Sequence, residues 1–360
     1  MQAVKDHLLP RLVVAGGVAA NQCLRKKLLA ISQKEDIKVY FPSPALCTDN
    51  AAMVAALGYH HFKAHNIADF DFDAISRYPV CPFHQSKVLE KYRIKAQKKL
   101  GQHFLINPFT SQQIVEKAGI EPKDIVIEIG AGLGALTIPL SQKAKKVIAI
   151  EYDQKLIFVL KEILANHQLK NIEIWQGDAL KYDYEKTAHL HKTKIKIIGN
   201  LPYHISSPLL FLFLEKRAVI DQATLMLQKE VADRLLAKPG TKDFGILSVL
   251  YGLTAKIIPV MNLAPQSFYP PPEVDSQLIK INWKEEIRLE EGFVFFLKHI
   301  FSQRRKTVLN ALKRLGIKTE KIKQILSDLK IETNTRPEQI SPQDYFNLYQ
   351  NIYSPKNNVL

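Results

Sequence analysis

Ile125-Val-Ile-Glu-Ile129, followed by Gly130, Gly132 and Gly134, limits the fold more than any other stretch. A short β-branched apolar run that meets spaced glycines, and then Leu136 and Leu140, predicts a buried strand, a tight turn and a helix. The pattern recurs. Val147-Ile-Ala-Ile-Glu151 predicts a second strand ending in an acid, and Ile172-Glu-Ile-Trp175 a third that runs into Gly177-Asp178. Ile195-Lys-Ile-Ile198 predicts a fourth that delivers Asn200, and Thr224-Leu-Met-Leu227 a fifth. Strands alternating with helices give an α/β chain, with a doubly wound parallel sheet covered on both faces. Such sheets bind ligands outside the carboxyl ends of their strands.

Glycines after the first strand let a backbone approach a cofactor closely, and an acid about 20 residues further on suits the ribose hydroxyls. That places Gly130 and Gly132 under a cofactor and gives Glu151 a bidentate grip on ribose. Asp178, at the next strand end, is placed to accept a hydrogen bond from an adenine amino group. Helix capping is the plain alternative for both acids. The layout would also serve NAD. Three features favour S-adenosylmethionine: the Glu-x-Gly-x-Gly-x-Gly spacing, the second strand-terminal acid, and Asn200-Leu-Pro-Tyr203 at the end of the fourth strand.

Asn-Leu-Pro-Tyr offers what methyl transfer to an extruded adenine needs. Asn200 supplies an amide oxygen to the amine. Pro202 fixes its own φ and constrains Leu201, so backbone carbonyls of the run can point at the same amine. Tyr203 supplies a ring for stacking. The purine delocalises the lone pair of its amine, and two carbonyl acceptors favour the pyramidal nitrogen that attacks a methyl sulfonium without a strong base. A polar turn closed by proline is the competing explanation.

The net charge of +15 calls for a polyanionic partner, and basic clusters flanking an enzyme-like core favour nucleic acid. A content of 46% hydrophobic and 24% charged residues is that of a soluble globular protein, and 360 residues leave room for two or three domains. Cys23, Cys47 and Cys81 are few and far apart, so reduced thiols in a cytoplasm are expected, with no zinc site. Nothing reads as a signal peptide or a membrane span.

At the N-terminus, residues 12–15 predict a strand into Gly16-Gly17, then a helix from Asn21 to Ala30 and a strand over 38–41. Thr48 or Asp49 would cap an Ala-rich helix over 50–62. Residues 86–99 carry Lys87, Lys91, Arg93, Lys95, Lys98 and Lys99 and predict a solvated basic linker. Thr110 or Ser111 would cap a helix ending at Ala118. Phe293 to Leu315 predicts one helix ending at Gly316, with Arg304-Arg305-Lys306 inside it, and shorter helices follow over 319–329 and 342–353.

From about Lys98 onward the chain resembles the KsgA-type ribosomal RNA adenine dimethyltransferases. The resemblance rests on Gly101-Gln-His-Phe-Leu105, Glu128-Ile-Gly-Ala-Gly-Leu-Gly134, Asn200-Leu-Pro-Tyr203, Gln228-Lys-Glu-Val231 and Phe268-Tyr-Pro-Pro-Pro-Glu-Val-Asp-Ser276. It implies a Rossmann-like class I methyltransferase domain over 100–283 and a small helical RNA-substrate domain over 284–360. It implies a monomer that dimethylates two adjacent adenosines in the 3′-terminal hairpin of 16S rRNA in the small subunit, with S-adenosylmethionine as cofactor. His103, which stands where many members have Asn, and Leu105 would hold the methionine end of the cofactor, and Asn200 would meet both cofactor and target amine. Phe268 would close the other face of the target base, and Arg304, Arg305 and Lys306 would meet RNA phosphate.

Val14-Ala-Gly-Gly-Val-Ala-Ala-Asn21 and Leu46-Cys-Thr-Asp-Asn-Ala-Ala-Met53 resemble the C-terminal end of the TsaD family, which modifies tRNA adenosine on an actin-like ATPase fold. Asn21 would there contact the carbamoyl-adenylate and Asp49 would ligate a metal. The family's His-x-x-x-His helix is missing, so residues 1–85 read as a fused fragment without catalysis or a metal of its own.

Three other readings compete, one of which gives the N-terminal segment a working role in tRNA modification. DNA and tRNA adenine methyltransferases usually carry Asn/Asp-Pro-Pro-Tyr/Phe, against which Leu201 stands. A ribosome-assembly factor with vestigial catalysis would not need Glu151, Asp178, Asn200 and Tyr203 intact.

Overall fold

The computed structural model describes residues 11–14, 17–34, 37–44, 47, 59, 85–97, 100–167, 169–284, 287 and 289–353. The chain divides into two units, residues 1–78 and 79–360.

In the first unit, β1 (Arg11–Val13) and β2 (Lys38–Tyr40) pair in parallel, joined through α1 (Gln22–Lys34). Asn21 caps α1, its Oδ1 accepting from the Cys23 and Leu24 amides at 2.9 and 3.1 Å. The side-chain oxygen of Asn21, the residue expected to contact a carbamoyl-adenylate, is committed to a helix end. The Asp49 assignment and the predicted helix over 50–62 lie outside the described residues.

The first described elements of the second unit are α2 (Gln85–Lys91), where a solvated linker was expected, and β3 (Phe104–Leu105). Leu89 decides the difference: it is buried among Phe104, Leu133, Leu156, Val159 and Ile163. A run of lysines hides that single apolar anchor, because the charged heads stay in water while the helix buries its other face.

The succeeding elements are α3 (Pro108–Ala118), β4 (Ile125–Ile129), α4 (Thr137–Ser141), β5 (Lys146–Glu151), α5 (Gln154–Asn166), β6 (Ile172–Gln176), α6 (Tyr184–His191), β7 (Ile195–Asn200), α7 (Ser206–Glu215) and β8 (Ile220–Gln228). They are followed by α8 (Lys229–Leu236), α9 (Ile246–Thr254), β9 (Ala255–Leu263), β10 (Phe268–Tyr269) and β11 (Ser276–Trp283). Asn107 caps α3, accepting from the Phe109 amide, with Pro108 at the first helical position. Thr110 and Ser111, the predicted caps, lie inside the helix. Proline is preorganised for that first position, and the residue before it is pushed out of helical geometry into the cap.

The main sheet has the order β6-β5-β4-β7-β8-β11-β9. β6 to β8 pair in parallel, and β11 runs antiparallel to both β8 and β9. A mostly parallel sheet is thus correct, and the antiparallel edge is an addition to the prediction. Ile127 sits level with Ile148 on one side and Ile197 on the other, all essentially unexposed. Strands covered on both faces read as continuous apolar runs, which is why these were easy to recognise. The chain crosses over between β4 and β7, so the crevice opens beside Gly130 and Asn200.

The C-terminal helices are α10 (Glu291–Ser302), α11 (Val308–Lys313), α12 (Thr319–Asp328) and α13 (Pro342–Tyr353). The predicted helix over 293–315 is therefore two. Thr307 Oγ1 accepts from the Asn310 amide and starts α11 afresh, and Gln303 to Lys306 form the turn between. A threonine side chain competes for backbone donors and favours a cap over a helix interior. Phe293, Phe296, Tyr345 and Leu348 share one core cluster with Val249 and Leu250 of α9.

Candidate active site

The ends of β4, β5 and β7 and the segment before β3 enclose a cavity of about 320 Å³. Its walls include Gln102, His103, Gly130, Gly132, Glu151, Asp178, Asn200 and Pro202. Gly130 has φ +73°, and a Cβ there would lie 3.3 Å from the Asn200 carbonyl, so only glycine leaves the floor open.

Glu151 is buried and heavily bonded. Its Oε1 accepts from the Tyr152 and Asp153 amides, both at 2.9 Å, and its Oε2 from the Gly132 amide at 2.8 Å. Burial raises its pKa, and the three amides oppose the rise. A carboxylate offers about four acceptor positions, so one on Oε2 is left for a ligand hydroxyl. That leaves room for one ligand contact, against the two of the expected bidentate grip. Asp178 caps the short 3₁₀ turn Ala179–Lys181, Oδ1 accepting from the Leu180 amide at 3.0 Å. It is a cap and a cavity wall at once, with Oδ2 left over.

Asn200 ends β7, and its Nδ2 donates to the His103 carbonyl at 2.8 Å. A carbonyl can only accept, so this bond decides which way the amide faces. Its Oδ1 is the atom left as an acceptor for a substrate amine. The Pro202 carbonyl accepts from the Ile205 amide and from Ser206 Oγ, each at 3.1 Å. That carbonyl is spent on the turn, so the proline acts through its ring, by constraining Leu201.

Tyr203 stacks on His103, ring centroids 5.1 Å apart and planes at 30°. Its hydroxyl is 3.5 Å from Ser276 Oγ. His103 Nδ1 lies 2.7 Å from the Pro270 carbonyl and must be the donor. One imidazole thus ties together the three motifs that begin at Gly101, Asn200 and Phe268. Leu105 is buried and lines a smaller cavity of about 40 Å³ with His103, Glu128, Gly130 and Asn200, not the main one. Phe268 departs from expectation. It is 2% exposed, packed with Leu105 and Leu263, and gives no free face to a base in this conformation, because β10 pairs it against Leu105.

Arg304 also departs. It donates to the Thr241 and Lys242 carbonyls and approaches Glu338 at 3.8 Å, while Arg305 and Lys306 stay exposed. Arg304 ties the turn after α10 to the loop between α8 and α9. Three adjacent basic residues look alike in sequence, and only the loop brought against one of them separates it from the others.

A family model described as ribosomal RNA adenine dimethylase matches residues 93–354. The chain belongs to that family. It is 43% identical over 267 residues to the ribosomal RNA small subunit methyltransferase A of Syntrophus aciditrophicus, covering 72% of this chain and 95% of that one. The protein of the same name from Desulforapulum autotrophicum is 40% identical over 273 residues, covering 74% and 95%. Among solved structures, a dimethyladenosine transferase from Plasmodium falciparum superposes with TM-score 0.60 and 33% identity, over 68% of this chain and 96% of its own. The 23S rRNA methyltransferase ErmE gives TM-score 0.54 and 25% identity, over 69% and 98%. A second family model, tRNA N6-adenosine threonylcarbamoyltransferase, matches residues 1–56.

Sequence reasoning for this dimethylase passed over Glu128. It is 1% exposed beneath the glycine turn and accepts from Thr137 Oγ1 at 2.6 Å. Burial, with a smaller push from Glu151, raises its pKa to about 8. Its place at the head of the glycine motif was the available signal. The folded chain keeps a proton that the unfolded chain releases above its ordinary value of 4.5. The stabilisation is complete below that value and is lost as pH rises to about 8. Glu128→Gln should therefore remove a falling slope of about 1.4 kcal/mol per pH unit from stability across that window. Urea midpoints at pH 5 to 8 for both proteins check this, and identical slopes would mean that Glu128 is ionised in the fold.

Proposed function

We propose that this chain binds S-adenosylmethionine in the 320 Å³ cavity and dimethylates N6 of two adjacent adenosines in the 3′-terminal hairpin of 16S rRNA. The observation that carries the reading is the Asn200 amide, turned by the His103 carbonyl so that its oxygen stays available in the cavity wall. The cavity is of the size that small-molecule sites have. Its donor set suits the cofactor: a glycine floor, one open acceptor position on Glu151 and one free oxygen on Asp178. When bound, S-adenosylmethionine supplies an electrophilic methyl group.

The chain's own residues do the rest. Asn200 Oδ1 and the Leu201 carbonyl accept the two amine hydrogens and favour a pyramidal nitrogen. Preorganised acceptors of this kind act where charge develops and need no reorganisation during reaction. Tyr203 offers its ring to the extruded base, and unstacking is offset by that contact. Leu105 and Phe268 support this wall from behind, as core residues. His103 holds Tyr203 and the Pro270 loop in place.

Arg305 and Lys306 meet RNA phosphate. Changing both to Ala should lower the slope of log affinity against log salt by about 1.4 to 1.8, since each phosphate contact contributes roughly 0.7 to 0.9. Filter binding from low to high salt measures it, and an unchanged slope would make them a merely solvated face. Arg304→Ala should move the slope much less and lower thermal stability instead, by about 1 kcal/mol for the lost bonds.

The protein acts in the cytoplasm as a monomer, with residues 100–283 as catalytic domain and 284–360 as RNA-substrate domain. Residues 1–85 are a fused fragment of an actin-like ATPase fold without catalysis. The similarity there spans 56 residues, and Asn21 serves as a helix cap. Among the described residues no helix is long and apolar enough to cross a membrane.

Methyl transfer from labelled S-adenosylmethionine to small subunits lacking the modification tests the proposal. Dimethyladenosine at the 3′ hairpin supports it. Silence, both for the full chain and for the chain from Lys87 onward, would leave a binding factor.

A further inference from the structure

Asp153 lies two residues beyond the acid assigned to ribose and is 9% exposed. Its two oxygens do different work. Oδ1 accepts from the Lys155 amide at 2.9 Å and caps α5. A cap needs only one oxygen. Oδ2 turns the other way and accepts two side-chain amides, Gln97 Nε2 at 2.7 Å and Gln102 Nε2 at 3.0 Å. Gln102 Oε1 in turn accepts from the Gln97 backbone amide at 2.9 Å, which fixes the orientation of that carboxamide.

The two glutamines bracket the start of the segment that walls the cavity. Leu100, Gly101, Gln102, His103 and Phe104 all line it. The same segment is anchored a second time, where Leu89 of α2 packs into the cluster of Phe104, Leu156 and Val159. Leu156 also lines the cavity. Apolar packing alone would hold α2 but would not set the register of residues 100 to 103, because such contacts are non-directional. Charge-assisted hydrogen bonds are directional and short, and here they join that wall to the turn bearing Glu151.

We propose that Asp153 is a positioning residue for the cofactor, a latch that holds the wall of residues 100–104 at a fixed distance from Glu151. It does not itself line the cavity. Its effect is to keep the cavity at cofactor width before the ligand arrives, so that binding does not have to order the wall. The His103 carbonyl on that wall also aims the Asn200 amide, so the latch connects cofactor affinity with the alignment of the acceptor. The inference rests on the reading of this cavity as the S-adenosylmethionine site.

Asp153→Ser separates the two duties. Serine caps a helix about as well as aspartate but is too short to reach Gln97 and Gln102. Calorimetric titration with S-adenosylhomocysteine should show Kd raised about tenfold, because binding must then order the wall. In the methylation assay, KM for S-adenosylmethionine should rise by the same factor, with KM for the ribosomal subunit nearly unchanged. Gln97→Ala, which removes one donor and leaves the cap untouched, should give a smaller rise in the same constants. If both variants bind the probe as the unaltered protein does, or if they lose only melting temperature and kcat, the latch is refuted. If the unaltered protein itself fails to bind the probe, the cavity is not the cofactor site, and the latch falls with that reading.

Discussion

Asn200→Ala should reduce kcat for methyl transfer by roughly 10³-fold while leaving cofactor and RNA binding within a few-fold of normal. The substitution removes the amide oxygen that the His103 carbonyl leaves available in the cavity wall. That acceptor matters most when the amine pyramidalises and its hydrogens become more acidic, which happens in the transition state. Interactions realised only there change kcat without changing ground-state affinity. The Leu201 carbonyl would remain, so a residual rate is expected. Asn200→Asp is the informative companion: it keeps an acceptor but sets a carboxylate against the His103 carbonyl, where a donor is needed. Single-turnover transfer and separate titrations of cofactor and RNA measure the effect. Normal turnover by the alanine variant would end the proposed role, whereas a matched loss of binding would make Asn200 a structural residue.

Gly199→Ala should cost more stability than any other change of one methyl group in the sheet. A Cβ at residue 199 would lie 2.5 Å from the Ile129 carbonyl oxygen and 3.1 Å from the Ile129 Cβ. Both residues sit in paired central strands, Ile129 directly opposite Gly199. The nearest atom is backbone, so no side chain can swing away to make room. Relief requires β4 and β7 to separate where the sheet is buried on both faces, and overpacking of this kind costs about 3 kcal/mol or more. The cleft opens at that point, between Gly130 and Asn200, so cofactor affinity should fall together with stability. Urea unfolding followed by circular dichroism tests it; a midpoint like that of the unaltered protein would show that the strands separate easily.

Much of the fold could be read from the chain. Strands buried on both faces are continuous runs of isoleucine and valine, and their period needs no tertiary knowledge. Strand ends then fall at Gly130, Glu151, Asp178 and Asn200, because the chain must turn where the apolar run stops. The antiparallel strands β9 and β11 were less visible. β9 is exposed or half-buried along most of its length, with Pro259 in its middle, and β11 sets Ser276, Gln277, Lys280 and Asn282 among its apolar residues. Leu89 was hidden for a related reason, since a single apolar contact has no period.

The sequence by itself determined the parallel sheet, the residue types at the carboxyl ends of its strands and the family. All of these depend on local composition and spacing. Only the tertiary structure decided how each polar atom is spent. It turned Asn200 outward through His103, left Glu151 a single open position, buried Phe268, tied Arg304 to a neighbouring loop and gave Asp153 two partners more than fifty positions upstream. A hydrogen bond is chosen by which groups the fold brings within about 3 Å, and that distance is set by contacts far apart in the chain.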